Sequence, residues 1–258
     1  MQIIENTFRQ WLSAALIVLL TGITASVTQL WTDYTNRDVN INGYVAPIDL
    51  SGFIRVSQEA TLKVECERNY GSGFSFDFEE GDKAQFNFKW QSGNNSSIIL
   101  TNYHVIQSCY ENGSPVYLTD VAGNQLPGKI LKVDIENDIS AIEVSKQISP
   151  LFAIYYFNRP GYWNMAIGSP FGMSGSVTFG NNIYSEGYKL YTSASLNKGN
   201  SGGPLVDNTL YVMGINTGYK AVAQNLNFAT DINALCEVIA KCYKEDGLLH
   251  PDVDEFDN

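Results

Sequence analysis

An all-β fold is what this chain of 258 residues predicts, on three observations. Tyr, Phe, Val, Ile, Thr and Gly are abundant and only 17% of residues are charged, a composition that suits half-buried pleated surfaces and neither a coiled coil nor a disordered chain. Short apolar runs recur along the chain, separated by Asn, Gly and Asp clusters, as strands and their turns do. Helical periodicity shows in one late segment alone, so strands do not alternate with helices, and the prediction is a barrel or a sandwich.

The elements follow in order. Between Arg9 and Asp33 there is no charged side chain. The stretch Trp11 to Trp31 is long enough to cross a bilayer as a helix. Tryptophans at both ends suit the two headgroup layers, so residues 11–31 read as a transmembrane anchor, with an uncleaved signal as the alternative. Arg9 and the terminal amine precede the span, which by the positive-inside rule makes residues 1–10 a short cytoplasmic end and the bulk extracytoplasmic, periplasmic or extracellular. Residues 32–52 are polar and aperiodic and read as a tether. From about Phe53 to residue 245 comes the folded domain, whose strand-like runs are 60–66, 73–76, 86–90, 97–101, 115–118, 129–133, 140–144, 163–167 and 211–215. The late helix is expected from Ile232 to Tyr243, capped by Asp231. Residues 246–258 form an acidic tail, solvated and disordered on this reading.

A formal charge of −11 repels a phosphate backbone, which excludes nucleic acid as an expected partner. The cysteines are Cys66, Cys109, Cys236 and Cys242, with no Cys-x-x-Cys pair, and the histidines are His104 and His250. That set does not make a closed metal site, and no metal or cofactor is expected. Disulfides fit an oxidising compartment, with three pairings open. Asn94, Asn95 and Asn112 match glycosylation sequons, a short pattern that means something only in a glycosylating pathway.

The segment from Asn197 to Val206, NKGNSGGPLV, carries the sharpest chemistry. A hydroxyl that attacks a carbonyl needs backbone donors for the oxyanion, and the amides of Gly199, Asn200 and Ser201 are the candidates. A plain surface turn is the bland alternative, since Asn, Ser and Gly are turn residues. A serine also needs a base. His104 follows a strand-like run, whereas His250 sits beside Pro251 in the acidic tail. The third group is a carboxylate that orients the imidazole. Asp138 immediately precedes the apolar run 139–144 and is preferred, with Asp134 as the alternative and Glu136 a solvated loop acid. The residues together point to a hydrolase with Ser201 as nucleophile, His104 as base and Asp138 as orienter.

ILTNYHVI around His104, NDISAIEV around Asp138, MAIGSPFGMSGSVTFGNNI from Met165, NKGNSGGPLV around Ser201 and MGINTG from Met213 together resemble the trypsin-like serine peptidases, and within them the HtrA/Deg branch. The resemblance runs from Ala60 to Leu235. It implies two packed six-stranded antiparallel β-barrels, with His104 and Asp138 from the first and Ser201 from the second. It implies a serine endopeptidase acting on protein or peptide substrates through an acyl-enzyme, in extracytoplasmic quality control or regulatory proteolysis. Met213, Gly214, Ile215 and Asn216 would then line the substrate groove and pair with the peptide as an added strand. Ser195, six residues before the nucleophile, stands where a trypsin-type pocket needs a carboxylate. An uncharged P1 side chain such as Val, Ala or Leu is therefore expected. A bridge between Cys66 and Cys109 would brace the histidine loop, the alternative being two buried thiols in a reducing compartment. Cys236 and Cys242 point to different faces of an unbroken helix and pair only if the helix ends before Cys242. Where HtrA proteins commonly carry PDZ domains, only a short helix and the tail follow Leu235, so no PDZ domain is expected. Nothing in the sequence indicates an oligomer. A catalytically silent peptide-binding module on the same fold is the second reading.

Overall fold

The computed structural model describes residues 41–78, 84–89, 95–153, 159–169, 175–219 and 226–242. The chain divides into two units, residues 1–41 and 42–258, and the second holds the described strands and α-helices. The expected anchor at 11–31, the first part of the tether, Asn94, His250 and the acidic tail lie outside the described residues. Among the described residues no helix is long and apolar enough to cross a membrane.

The first helix, α1 (Leu50–Ala60), opens inside the stretch read as tether. Asp49 caps it, its carboxylate accepting from the Gly52 amide at 3.0 Å, which satisfies one of the unpaired donors of the first turn. Phe53, Ser57 and Ala60 form its buried face at the spacing of neighbouring turns.

Among the described residues fifteen strands follow: β1 (Thr61–Cys66), β2 (Asn69–Asp77), β3 (Ala84–Phe86), β4 (Ser97–Thr101), β5 (Val116–Thr119), β6 (Gln125–Asp134), β7 (Ile139–Val144), β8 (Leu151–Ala153), β9 (Trp163–Gly168), β10 (Ser176–Glu186), β11 (Lys189–Thr192), β12 (Pro204–Val206), β13 (Tyr211–Tyr219), β14 (Asn227–Asp231) and β15 (Ala240–Cys242). Helix α2 (Tyr103–Asn112) lies between β4 and β5. Thirteen strands make one continuous sheet that closes on itself twice. The first closure, β1-β5-β6-β7-β4-β2, is sealed by β1 against β2 with Thr61 opposite Phe74. The second, β13-β12-β9-β10-β11-β14, is sealed by β13 against β14. Short β8 runs parallel to both β2 and β13 and joins the two barrels. Among the described residues closure leaves no open sheet edge in either barrel.

Strand β4 is buried along its whole length. Its side chains alternate between two cores: Ile99 packs with Leu62, Val64, Ile142 and Val144 inside the first barrel, while Ile98 and Leu100 join Phe74, Met165, Ile167 and Val212 outside it. Period-two alternation with both faces apolar is what such a position demands, and each fully buried Ile or Leu contributes about 2 kcal/mol. Strand β7 repeats the pattern beside it, with Thr101 opposite Ser140. The residues after β4 and those before β7 therefore emerge at the same end of the barrel.

The expected C-terminal helix is corrected by the structure. Asp231 does cap, its carboxylate accepting from the Asn233 amide at 2.9 Å. The chain then makes one 3-10 turn (Ile232–Ala234) and a single helical turn, α3 (Leu235–Val238), before it extends as β15 and pairs with β3. Ile239 and Ala240 are buried in the large core, and the strand pairing overrides a helical pattern too short to hold on its own. Cys236 and Cys242 are bonded, with Cα atoms 5.4 Å apart, because the helix ends between them. Cys66 and Cys109 are bonded as well, Cα atoms 5.7 Å apart, and no free cysteine is present among the described residues.

Candidate active site

His104 lies in the first turn of α2, directly after β4, and Asp138 directly before β7. Asp138 meets the histidine with both carboxylate oxygens. Oδ1 accepts from the His104 main-chain amide at 2.8 Å and Oδ2 meets ring Nδ1 at 2.7 Å. With Nδ1 held by the carboxylate, Nε2 points away and has no partner among the described residues. Asp134 is elsewhere: buried, it accepts from the Asn137 amide and Asn137 Nδ2 at 3.1 and 2.8 Å and closes its own turn. Among the described residues Glu136 makes no hydrogen bond or ion pair with the histidine, whose ring partner is Asp138.

The Asn197–Gly203 loop is held against the first barrel by Ser72, a fully buried residue of β2. The Ser72 amide donates to the Ser201 carbonyl at 2.7 Å, and its hydroxyl donates to the Gly199 carbonyl at 2.7 Å. Gly202 has φ 86°, and a Cβ there would overlap the Ser72 carbonyl and the Thr101 hydroxyl. Only glycine fits so close an approach in that conformation. The Asn200 amide is committed to the Asn197 carbonyl at 2.9 Å, so it drops out of the three candidate oxyanion donors. The amides of Gly199 and Ser201 have no acceptor among the described residues.

The Ser201 hydroxyl does not bond His104. It donates to the Thr217 carbonyl at 3.1 Å. The register of β13 against β14 shifts between Asn216 and Gly218, and a bulge of that kind re-aims the backbone at the extra residue. Beside Ser201 opens a pocket of about 300 Å³ lined by Leu196, Asn197, Lys198, Thr217 and Gly218. The Lys198 ammonium stands 5.7 Å over the Tyr70 ring, a cation over the negative face of an aromatic.

None of the five substrate-binding candidates lines this pocket. Ser195 is exposed, outside the pocket lining, with its carbonyl taken by the Thr178 hydroxyl. Met213, Gly214, Ile215 and Asn216 sit inside the sheet: Gly214 and Ile215 face both β12 and β14, Met213 is in the second barrel's core, and both main-chain groups of Asn216 are bonded to Gly202 and Gly203. The pocket takes the next two residues, Thr217 and Gly218. A bulge shifts register by one residue, which no sequence pattern announces. Ser72, Asn102 and Thr217 are the residues that sequence reasoning missed. Asn102 and Thr217 carry one signal, their place within ILTNYHVI and MGINTG, and Ser72 carries none.

Residues 71–215 match the family model described as a trypsin-like peptidase domain. The chain belongs to the trypsin-like peptidase family. Relatives of this trypsin-like peptidase lie in the HtrA/Deg branch. HhoB of Synechocystis is 33% identical over 167 residues, a match covering 59% of this chain and 39% of HhoB. A DegP-like protein of Chlamydia pneumoniae is 31% identical over 130 residues, covering 46% of this chain and 26% of that protein. Among solved structures, the serine endoprotease from Yersinia pestis superposes with a TM-score of 0.60 at 25% identity, covering 74% of this chain and 65% of that one. The chain thus spans well under half the length of the two curated relatives.

Proposed function

We propose that this trypsin-like peptidase is an active serine endopeptidase in which Ser201 attacks the scissile carbonyl, His104 takes the proton and Asp138 orients the imidazole. The observation that carries the reading is the bidentate hold of Asp138 on His104, which fixes the tautomer with Nε2 as the base and stabilises the imidazolium. Turning about its χ1, the Ser201 hydroxyl exchanges the Thr217 carbonyl for Nε2, a change that side chains make readily and that substrate binding commonly completes. Oγ then bonds the carbonyl carbon as its proton passes to Nε2, and the negative oxygen is received by the uncommitted amides of Gly199 and Ser201. Collapse expels the amine with the proton from His104, and water repeats the sequence to release the acyl group.

The pocket supports an uncharged P1 side chain. Among the described residues its lining has no carboxylate to meet an Arg or Lys, the Lys198 ammonium leans over the Tyr70 ring, and Leu196, 7% exposed, presents an apolar wall. Two disulfides support an oxidising compartment, and with the uncharged run at 11–31 they support a membrane-tethered, extracytoplasmic peptidase acting on protein substrates in quality control or regulatory proteolysis. The Ser201 to Thr217 bond favours a second reading, a silent peptide-binding module with the serine turned away from its base.

A fluorophosphonate probe separates the two. Wild-type protein is expected to be labelled on Ser201 and Ser201→Ala to stay unlabelled, with casein cleavage lost in parallel. Folded wild-type protein that neither labels nor cleaves sinks the endopeptidase.

A further inference from the structure

Asn102 stands two residues before His104 and is fully buried. Its Nδ2 donates to the Asp138 carbonyl at 2.8 Å and to Thr217 Oγ1 at 3.2 Å. The first bond falls on a strained residue: Asp138 has φ 58°, a left-handed conformation that side-chain-bearing residues hold only against a cost. That conformation turns the carboxylate back onto both the amide and the ring of His104. The second bond reaches the residue whose carbonyl accepts the Ser201 hydroxyl. Thr217 Oγ1 lies 2.8 Å from the Ile215 carbonyl and 2.9 Å from Thr230 Oγ1, so its single proton serves one of the two, and when it goes to Thr230 the Thr230 hydroxyl donates to the Asn137 carbonyl at 3.4 Å. The network therefore leaves the Asn137–Asp138 loop of the first barrel, crosses to β13 and β14 of the second, and returns to the same loop. It joins the carboxylate side of the site to the nucleophile side without passing through His104.

Asn102 Oδ1 accepts from nothing among the described residues. A buried acceptor left unpaired is costly, so packing alone does not account for an amide here. Its two donated bonds do.

We infer that Asn102 is a positioning residue of the catalytic site: its side-chain amide sets the Asp138 backbone and, through the Thr217 hydroxyl, the register of the two barrels across the cleft. The inference rests on the serine-peptidase reading. The test uses the full chain and a fluorophosphonate, whose labelling separates recognition (KI) from attack by Ser201 on phosphorus with loss of fluoride (kinact). Folded fractions are checked by thermal melting. Asn102→Ala is expected to lower kinact about tenfold, the worth of a lost hydrogen bond, with KI within about twofold. The double variant Asn102→Ala/Thr217→Val is expected to be no more than about twofold slower than the slower single variant, since both cut one link. Wild-type kinact in Asn102→Ala, or single losses that multiply in full, overturns the inference. If Asn102→Ala does not fold, the hydroxyl is tested from the other barrel: Thr217→Ser should label at least about fivefold faster than Thr217→Val, and equal rates overturn it. Wild-type protein that does not label at all overturns the peptidase reading itself, a result distinct from a labelled wild type with an unaffected variant.

Discussion

The two disulfides differ in the loop each closes, and that difference predicts unequal stabilisation. Cys66–Cys109 spans 43 residues of sequence and Cys236–Cys242 spans 6. When a cross-link acts by restricting the unfolded chain, its contribution grows with the logarithm of the loop, which for these separations amounts to about 4 and about 2 kcal/mol at 25 °C. For a domain of this size the gap corresponds to roughly 4–8 °C in Tm. Two variants isolate the links: Cys236→Ala/Cys242→Ala keeps the long loop and Cys66→Ala/Cys109→Ala keeps the short one. Urea unfolding of each, oxidised and reduced, compares one chain with itself, so the packing cost of the substitutions cancels. Equal increments, or a larger one from the short loop, would refute the reasoning and locate the effect in the folded state. Because Cys109 and His104 share α2, Ser201 labelling is expected to fail together with the long-loop protein's unfolding.

Three further outcomes follow. Asp138→Asn removes the acceptor that fixes the imidazole tautomer and is expected to lower the fluorophosphonate labelling rate on the order of 10⁴-fold; a loss under about tenfold would show that Asp138 does not orient His104. Gly202→Ala forces a side chain onto the Ser72 carbonyl at φ 86° and should cost more than about 3 kcal/mol in urea unfolding, with labelling lost; a stable, reactive variant contradicts the clamp. Burial of Asp120 opposes its charge, but the Lys146 ammonium and the Asn124 side-chain and main-chain donors outweigh it and hold its pKa at about 2, below the 3.8 of an unperturbed aspartate. Its contribution is therefore present above about pH 4 and lost as pH falls toward 2, so Asp120→Asn should flatten that part of the acid unfolding slope, and unchanged slopes exclude the pair.

The sequence alone determined the residue types and their order: the Gly-rich turn around Ser201, one histidine beside a strand, a carboxylate before the next apolar run, and period-two patterns enough for an all-β fold. These are local facts, legible because turn chemistry and strand alternation act over a few residues. The tertiary structure decided what depends on closure. Asp138 was separated from Asp134 because β7 pairs beside β4 and delivers one carboxylate, not the other, to the end where His104 emerges. The same closure brings Ser72 to Gly199, 127 residues away, and Asn102 to Thr217, 115 away. The register shift between Asn216 and Gly218 falls where β13 enters the pocket lining, at Thr217, and pairing with β3 turned an expected helix into β15. Such contacts are decided by which strands meet and in which register, and a strand's own residues specify the face it buries but not the neighbour it finds.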